Sequence, residues 1–344
     1  MVVARGHEPE AGTGEGHIEL HEVSVGENYL LNVFKLFFHV LKITKRQRIS
    51  CVMASVWSPC GVVAWLLSYV TGLKYYVGAH GLDILEPLRS RKFTFLMKRT
   101  LRRADKIFPV SEFTKERIYE LGVDHRNTVV IPNGVNLKMF ESVENAEEIL
   151  DRHNLRDKMV LLTVGRLVRR KGHDLVVEAM KILAKKYDNL TYVIVGEGPE
   201  RDSLEALVRS HSLMDKIVFS GFVSEEELPM YYQICDIFVM PVRELAHEGD
   251  VEGFGIVFLE ANACGKPVIG SRSGGVEDAV LDNGTGILID PDNREQLIDA
   301  ISKLLENKEL ALELGRRGKE RIHTELTWEK GAAKIAHQML QEEG

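Results

Sequence analysis

The stretch Glu252-Gly253-Phe254-Gly255-Ile256-Val257-Phe258-Leu259-Glu260 sets two carboxylates eight positions apart, with a glycine-rich turn between them and an apolar run behind. If Gly253 to Gly255 turn the chain into a helix opening at Ile256, the unpaired N–H groups of its first turn and the positive end of its dipole face whatever lies in front. A diphosphate fits there. Glu260 then lies about two turns beyond Glu252, so the two carboxylates can accept from hydroxyls at different places on one ligand. The bland alternative is an ordinary helix start with a Glu in its first turn and an amphipathic Glu further on.

The flanks favour a ligand. Upstream, Cys235-Asp236-Ile237-Phe238-Val239-Met240 is an apolar strand closed by Pro241, and the polar loop 242–251 leads into the Glu252 turn. Strand, loop and helix N-terminus is the order an open α/β sheet uses to bind ligands. Downstream, Gly265-Lys266-Pro267-Val268-Ile269-Gly270 and then Ser273-Gly274-Gly275-Val276-Glu277 read as a second strand ending in a second glycine-rich helix entry. Two such entries facing one crevice are expected.

The run DVEGFGIVFLEANACGKPVIGSRSGGVEDAV (250–280) resembles the donor-site signature of the retaining GT-B-fold glycosyltransferases, the glycosyl transferases group 1 family. Its loop, MPVREL followed by DVEGFGIVFLEA, looks most like phosphatidylinositol mannosyltransferases and related bacterial enzymes. Further stretches carry the same likeness: VGRLVRRKGHDLVVEAM (164–180), YVIVGEGPERDSLEALV (192–208), VFSGFVSEEEL (218–228), AHGLD (79–83) and VVIPNGVN (129–136). Together they are specific, whereas a Gly-x-Gly-Pro after a strand is alone a weak signal. The likeness runs from about His80 to the C-terminus.

The resemblance implies an α/β chain of two Rossmann-like domains facing a cleft: an acceptor-binding domain over 1–145, a nucleotide-sugar-binding domain over 146–327, and a helix over 328–344 crossing back to the first. One departure stands out. Family members begin with a strand, a glycine-rich loop and a helix, whereas Met1 to Arg5 reads as the second strand, so the first βα unit of the N-terminal domain is expected to be absent. Gly12-Thr13-Gly14-Glu15-Gly16 does not replace it, because no strand leads in and no helix follows; it reads as an inter-strand loop. A truncated or mis-started sequence is the preferred explanation, and a chain complete as given would put activity in doubt.

The resemblance also assigns roles. Charge grows on the donor β-phosphate as a glycosyl bond breaks, so catalysis needs cations and N–H donors aimed there. Arg166 and Lys171, after Gly165, match the phosphate-binding pair, one a planar fork and the other a point charge. A basic run at a helix start is otherwise disfavoured by the dipole, so Arg169-Arg170-Lys171 points to an anion; the bland reading is a solvated turn. Glu260 matches the carboxylate that holds the ribose, Glu252 the one that holds a donor-sugar hydroxyl, and Gly253, Phe254, Gly255, Ile256 and Val257 the backbone around sugar and phosphate. His80 matches an active-site histidine and Val223 a backbone contact to the base. No cofactor or metal is expected beyond the donor, GDP-mannose or a UDP-hexose. Asp290-Pro291-Asp292 reads as a turn rather than a metal motif.

Length and composition agree. The 344 residues, 44% of them hydrophobic, suffice for two cores. No stretch reaches a membrane span, no secretory signal is visible, and Cys51, Cys60, Cys235 and Cys264 lack metal spacing, as expected of buried cytosolic thiols. Residues 1–140 carry 19 Lys and Arg against 13 Asp and Glu, and the remainder 25 against 38. The excess gathers at Arg89 to Lys106 around Phe93, Phe95, Leu96 and Met97, and at Lys35 to Arg48 after Leu30 to Val40. Both suit solvated outer helices or an anionic membrane surface. The resemblance implies a nucleotide sugar and a lipid-linked or glycan acceptor as partners, and the basic faces add an anionic membrane surface; no nucleic acid is expected, and the location is cytoplasmic or peripheral at the inner face of the membrane. A sugar-nucleotide 2-epimerase, a phosphorylase and a non-catalytic sugar-nucleotide-binding protein remain alternatives; a dinucleotide oxidoreductase lacks its G-x-G-x-x-G after a strand.

Periodicity predicts strands at 18–23, 49–54, 75–79, 106–110, 128–131, 159–164, 191–195, 217–220, 237–240, 267–270 and 286–289. Helices are predicted at 28–45, 61–71, 92–103 and 112–121, the last capped by Ser111.

Overall fold

The computed structural model describes residues 2–4, 18–23, 26–47, 49–141, 145–245 and 250–340. The chain forms two compact units, one of Met1–Val110 with Thr114–Val130, the other of Ser111–Phe113 with Ile131–Gly344.

In the first unit, β1 (Val2–Ala4) pairs antiparallel with β2 (Ile18–Leu20). Then follow α1 (Tyr29–Arg46), β3 (Cys51–Ala54), α2 (Val62–Thr71), β4 (Lys74–Ala79), α3 (Leu82–Leu85), α4 (Arg91–Arg103), β5 (Lys106–Pro109) and α5 (Glu112–Glu120). Strands β3, β4 and β5 make a parallel sheet in that order. The central strand β4 is apolar from Tyr75 to Ala79, as a parallel strand buried on both faces must be: Tyr75, Tyr76 and Val77 are buried with Leu67, Met97 and Leu101 from the helices. The β1–β2 pair forms a sheet of its own, so the strand expected over Met1 to Arg5 is described at Val2–Ala4 and does not join β3–β4–β5. Gly12 to Gly16 lies outside the described residues.

The second unit runs α6 (Leu137–Glu141), α7 (Ala146–Arg152), β6 (Met159–Val164), α8 (His173–Lys186), β7 (Leu190–Val195), α9 (Arg201–Ser210), β8 (Ile217–Gly221) and α10 (Leu228–Ile234). It continues through β9 (Ile237–Val239), α11 (Ile256–Ala263), β10 (Val268–Ser271), α12 (Val276–Ala279), β11 (Gly286–Ile289), α13 (Arg294–Glu306), α14 (Lys308–Glu325) and α15 (Trp328–Leu340). All six strands are parallel, in the order β11-β10-β9-β6-β7-β8. The chain therefore winds outward one way from β6 and then returns to build the other half from β9. In such a doubly wound sheet the crevice beyond the C-terminal ends of the two central strands, here β6 and β9, receives the ligand. The core beneath includes Leu161, Tyr192, Ile194 and Val239 from the sheet and Val176, Met180 and Leu183 from α8.

One predicted strand is absent. Thr128 makes a single parallel bridge to Ile107, and Val129 donates to the Ile107 carbonyl at 3.0 Å. Pro132 has no N–H to extend the ladder, and beyond it Val135 donates to Leu326 at 2.9 Å and pairs with Thr327 instead.

Candidate functional site

The loops after β6 and β9 bring the charged candidates together. After β6 the chain turns at Gly165, and Arg169–Lys171 form a single 3₁₀ turn. The three-residue period sends successive side chains in different directions. Arg169 is exposed, while Lys171 is buried with its stem over Gly165, where a Cβ would stand 3.6 Å from Lys171 Cε. Lys171 Nζ donates to Glu252 Oε2 at 2.6 Å, across 81 positions of sequence. Arg170 reaches the same oxygen through Nη1 at 2.5 Å and Asp250 Oδ1 through Nε at 2.7 Å. Burial pushes the Glu252 carboxyl up, but Lys171 and Arg170 outweigh it and hold the group below the usual carboxylate range. Glu252 is thus an anion in a buried setting, and both cations meet it at Oε2. Arg166 follows Gly165 in the same turn; it is exposed, and no described residue pairs with its guanidinium.

The predicted turn is present. Gly255 adopts φ 90° and ψ 62° immediately before α11, a left-handed conformation that costs glycine nothing. A side chain there would also strike Phe258, 2.8 Å from its ring. Phe258 N–H returns to the Gly255 carbonyl at 3.1 Å, which leaves Ile256 and Val257 to offer the free donors of the first turn. Gly253, Phe254 and Gly255 are buried and fix the entry.

The second glycine-rich segment does a different job from the one expected. It is not a second open cradle: Gly275 N–H donates to the Glu252 carbonyl at 2.8 Å. A Cβ on Gly275 would lie 2.0 Å from the Gly253 carbonyl oxygen. Ser111 Oγ donates to that same carbonyl at 2.8 Å, so the predicted helix cap also braces the Glu252 turn. With α12 only four residues long, this second entry acts as a buttress that spends the Gly275 N–H on the Glu252 turn.

Glu260 lies on α11, where Tyr232 from α10 donates its hydroxyl to Oε2 at 2.6 Å. Burial pushes the Glu260 carboxyl up, opposed by the Tyr232 hydrogen bond and by Lys171. Replacing Tyr232 by Phe removes a hydrogen bond to an anion, which contributes about 1.5–3 kcal/mol. The Glu260 carboxyl then rises further, and a protonated Glu accepts less well. The pH at which affinity is lost on acidification moves up. Calorimetric titration across pH checks this; an unmoved acid limb would show that Glu260 does not contact the ligand.

Val223 is half-buried two residues beyond β8, beside Phe222, which is 79% exposed. His80 belongs to the first unit, directly after β4. Its backbone N–H donates to Asp83 Oδ1 at 2.8 Å and its Nε2 lies 2.9 Å from the Ser55 carbonyl. A neutral ring held in this way protonates Nε2 and leaves Nδ1 as an acceptor. Asp290 and Asp292 sit in a turn, Asp290 with Gln296 and Arg272, Asp292 with Arg243 at 2.8 Å.

Arg170, Asp250, Tyr232 and the buttress of Ser111 and Gly275 are site features that sequence reasoning missed. The only available signal was the triple cation at 169–171, whose members the sequence does not tell apart.

Known proteins resemble this chain in sequence and in fold. The family model described as "Glycosyl transferases group 1" matches residues 145–321, and "Glycosyltransferase Family 4" matches residues 1–139. The GDP-mannose-dependent alpha-(1-6)-phosphatidylinositol monomannoside mannosyltransferase of Mycobacterium tuberculosis is 35% identical over 228 residues, 66% of this chain and 59% of that protein. An uncharacterized glycosyltransferase of Methanocaldococcus jannaschii is 30% identical over 305 residues, 89% of this chain and 78% of its own. The chain thus spans less than two thirds of the mycobacterial relative's length. Among solved structures, Anabaena HepE in complex with UDP superposes with a TM-score of 0.79 at 20% identity, covering 91% of this chain and 84% of that one. Sucrose-phosphate synthase from Thermosynechococcus elongatus gives 0.77 at 27% identity, covering 92% and 79%. The fold is that of the GT-B glycosyltransferases.

Proposed function

Because the chain belongs to the glycosyl transferases group 1 family, we propose that it moves a hexose, mannose from GDP-mannose, onto a lipid-linked acceptor with retention and without a metal. The observation that carries this reading is the meeting of Lys171, Glu252 and the open first turn of α11 beyond the C-terminal ends of β6 and β9. In the proposed reaction the bond from sugar C1 to the β-phosphate oxygen breaks and negative charge collects on the leaving diphosphate. Lys171, Arg166 and the N–H groups of Ile256 and Val257 stabilise that charge, worth most in a site that excludes water. Glu252 Oε1 accepts from a sugar hydroxyl and Glu260 from the ribose. The acceptor oxygen bonds to C1 on the face the phosphate leaves, and the departing phosphate takes its proton, so the anomeric configuration is kept.

The choice of mannose rests on the mycobacterial relatives, whose names carry GDP-mannose. Calorimetry of GDP against UDP tests it: GDP is expected to bind at least about tenfold more tightly, a difference of about 1.4 kcal/mol. Equal, millimolar binding of both would remove the donor assignment.

Two surfaces of the first unit support a lipid acceptor. Helix α1 exposes Leu30, Leu31, Phe34 and Phe38, and α4 exposes Phe93 and Phe95 among its Arg and Lys residues. Arg99 lies over the Phe95 ring at 5.0 Å. No helix among the described residues is long and apolar enough to cross a membrane, so the proposed attachment is peripheral, to an inner membrane face. Each basic residue near an anionic surface contributes about 1 kcal/mol. Sedimentation with anionic vesicles that is lost in raised salt and absent with zwitterionic ones is expected; binding indifferent to both would favour a soluble acceptor.

A further inference from the structure

Glu252 Oε2 receives two cations at once, and they are held very differently. Lys171 is a point charge on a flexible stem with Glu252 as its ion-pair partner. Arg170 is fixed along its length: Nε on Asp250, Nη1 on Glu252, and its carbonyl accepting from Arg243 N–H at 2.9 Å. Its side chain is only 15% exposed, and that of Glu252 13%. A donor diphosphate is a stronger attractor for Lys171 than one carboxylate. Once Lys171 turns to it, a buried Glu252 with no other cation would be an uncompensated charge, a state that costs several kcal/mol or is relieved by taking up a proton. A protonated Glu252 would be a weaker acceptor for a sugar hydroxyl.

We propose that Arg170 and Asp250 form a positioning pair that holds the Glu252 carboxylate in place and in orientation when Lys171 leaves it for the donor; this rests on the donor-site reading above. Arg170 suits the task because a guanidinium fork spans two anions in a fixed plane, which an ammonium cannot do. Asp250 anchors the far end of the fork, so that Arg170 does not follow Lys171 to the phosphate. Among the described residues the charged groups facing Glu252 are Arg170 and Lys171 from the 3₁₀ turn and Asp250 from its own loop. The pair therefore serves the sugar end of the donor and leaves the nucleotide end to others.

The test uses the whole chain as wild type, Arg170→Ala, Arg170→Lys and Asp250→Asn. The pairs GDP with GDP-mannose and UDP with UDP-glucose are titrated calorimetrically. The Glu252 carboxyl is titrated separately, without ligand, by carbon NMR of labelled glutamate, with Glu252→Gln to assign the signal. In Arg170→Ala the nucleoside diphosphate is expected to keep its affinity within about threefold, while the additional affinity given by the sugar falls at least about tenfold. The Glu252 titration moves to higher pH, and Arg170→Lys restores part of both. Asp250→Asn lowers the sugar increment less than Arg170→Ala does, and reads the pair from its other end should the alanine variant not fold. An equal loss for nucleotide and nucleotide sugar, or a Glu252 titration unmoved by both changes, overturns the proposal. If wild type binds neither pair, the donor reading fails, and the Glu252 titration alone decides whether Arg170 governs that carboxylate.

Discussion

Lys171→Ala is expected to lower kcat/KM at least about a hundredfold, roughly 3 kcal/mol of transition-state stabilisation, the scale of losing one preorganised donor to a developing anion. The loss should fall mainly on kcat, because charge on the diphosphate peaks as the glycosyl bond breaks. Arg166→Ala should be of similar size, because Arg166 is proposed to meet the same diphosphate and, among the described residues, no partner ties its exposed guanidinium into the fold. Glu260→Gln, by contrast, keeps the shape and removes a charged acceptor, so its effect should appear in nucleotide affinity. Initial rates over a range of donor concentrations separate these cases. Near-normal turnover in Lys171→Ala would break the phosphate assignment, whatever happens to binding.

Gly275→Ala is expected to damage both the fold and the site with a single methyl group. The new Cβ would fall 2.0 Å from the Gly253 carbonyl oxygen and 2.9 Å from Ser111 Oγ, and backbone at that distance cannot yield as the tip of a side chain can. The buttress must separate from the Glu252 turn, losing the Gly275 bond to the Glu252 carbonyl. Overpacking of this kind costs about 1–3 kcal/mol, which lowers Tm by several degrees in a chain of this size, on the order of 2–4 °C per kcal/mol. Donor affinity should fall with it, because Glu252 and the start of α11 move. Thermal unfolding and calorimetry on one preparation check both; a stable variant with unaltered donor binding would show that the turn does not need its buttress.

Much of the second unit was legible because its strands and helices carry unmixed signals. Strands at 159–164 and 286–289 were predicted with the bounds they have, since both are short apolar runs closed by turn residues. The glycine turn before Ile256 was legible for the same reason: only a left-handed residue followed by an apolar helix fits Gly255. Strand order was not, because periodicity says which face is buried and nothing about neighbours; the switch point between β6 and β9 appears only in the folded sheet. Thr128 to Ile131 failed as a strand because β propensity does not show that Val135 pairs with Leu326.

The charged network was half legible. The resemblance put Lys171 and Glu252 at one donor site but in separate roles, not in an ion pair, and Arg170 looked like its neighbour Arg169. Only the 3₁₀ turn distinguishes a solvated cation from a buried one. Tyr232 was hidden in another way: a tyrosine within an apolar helix reads as core, and its hydroxyl meets Glu260 28 residues away.

The central claim is that the loops after β6 and β9 bind a nucleotide sugar through Lys171, Glu252 and the start of α11. A crystal structure of the chain with GDP-mannose tests it most directly. The account predicts the diphosphate at the N–H groups of Ile256 and Val257, Lys171 Nζ moved from Glu252 onto phosphate oxygen, and Glu252 still held by Arg170 while accepting from a sugar hydroxyl. A diphosphate bound elsewhere, with the ion pair of Lys171 and Glu252 intact, would contradict it.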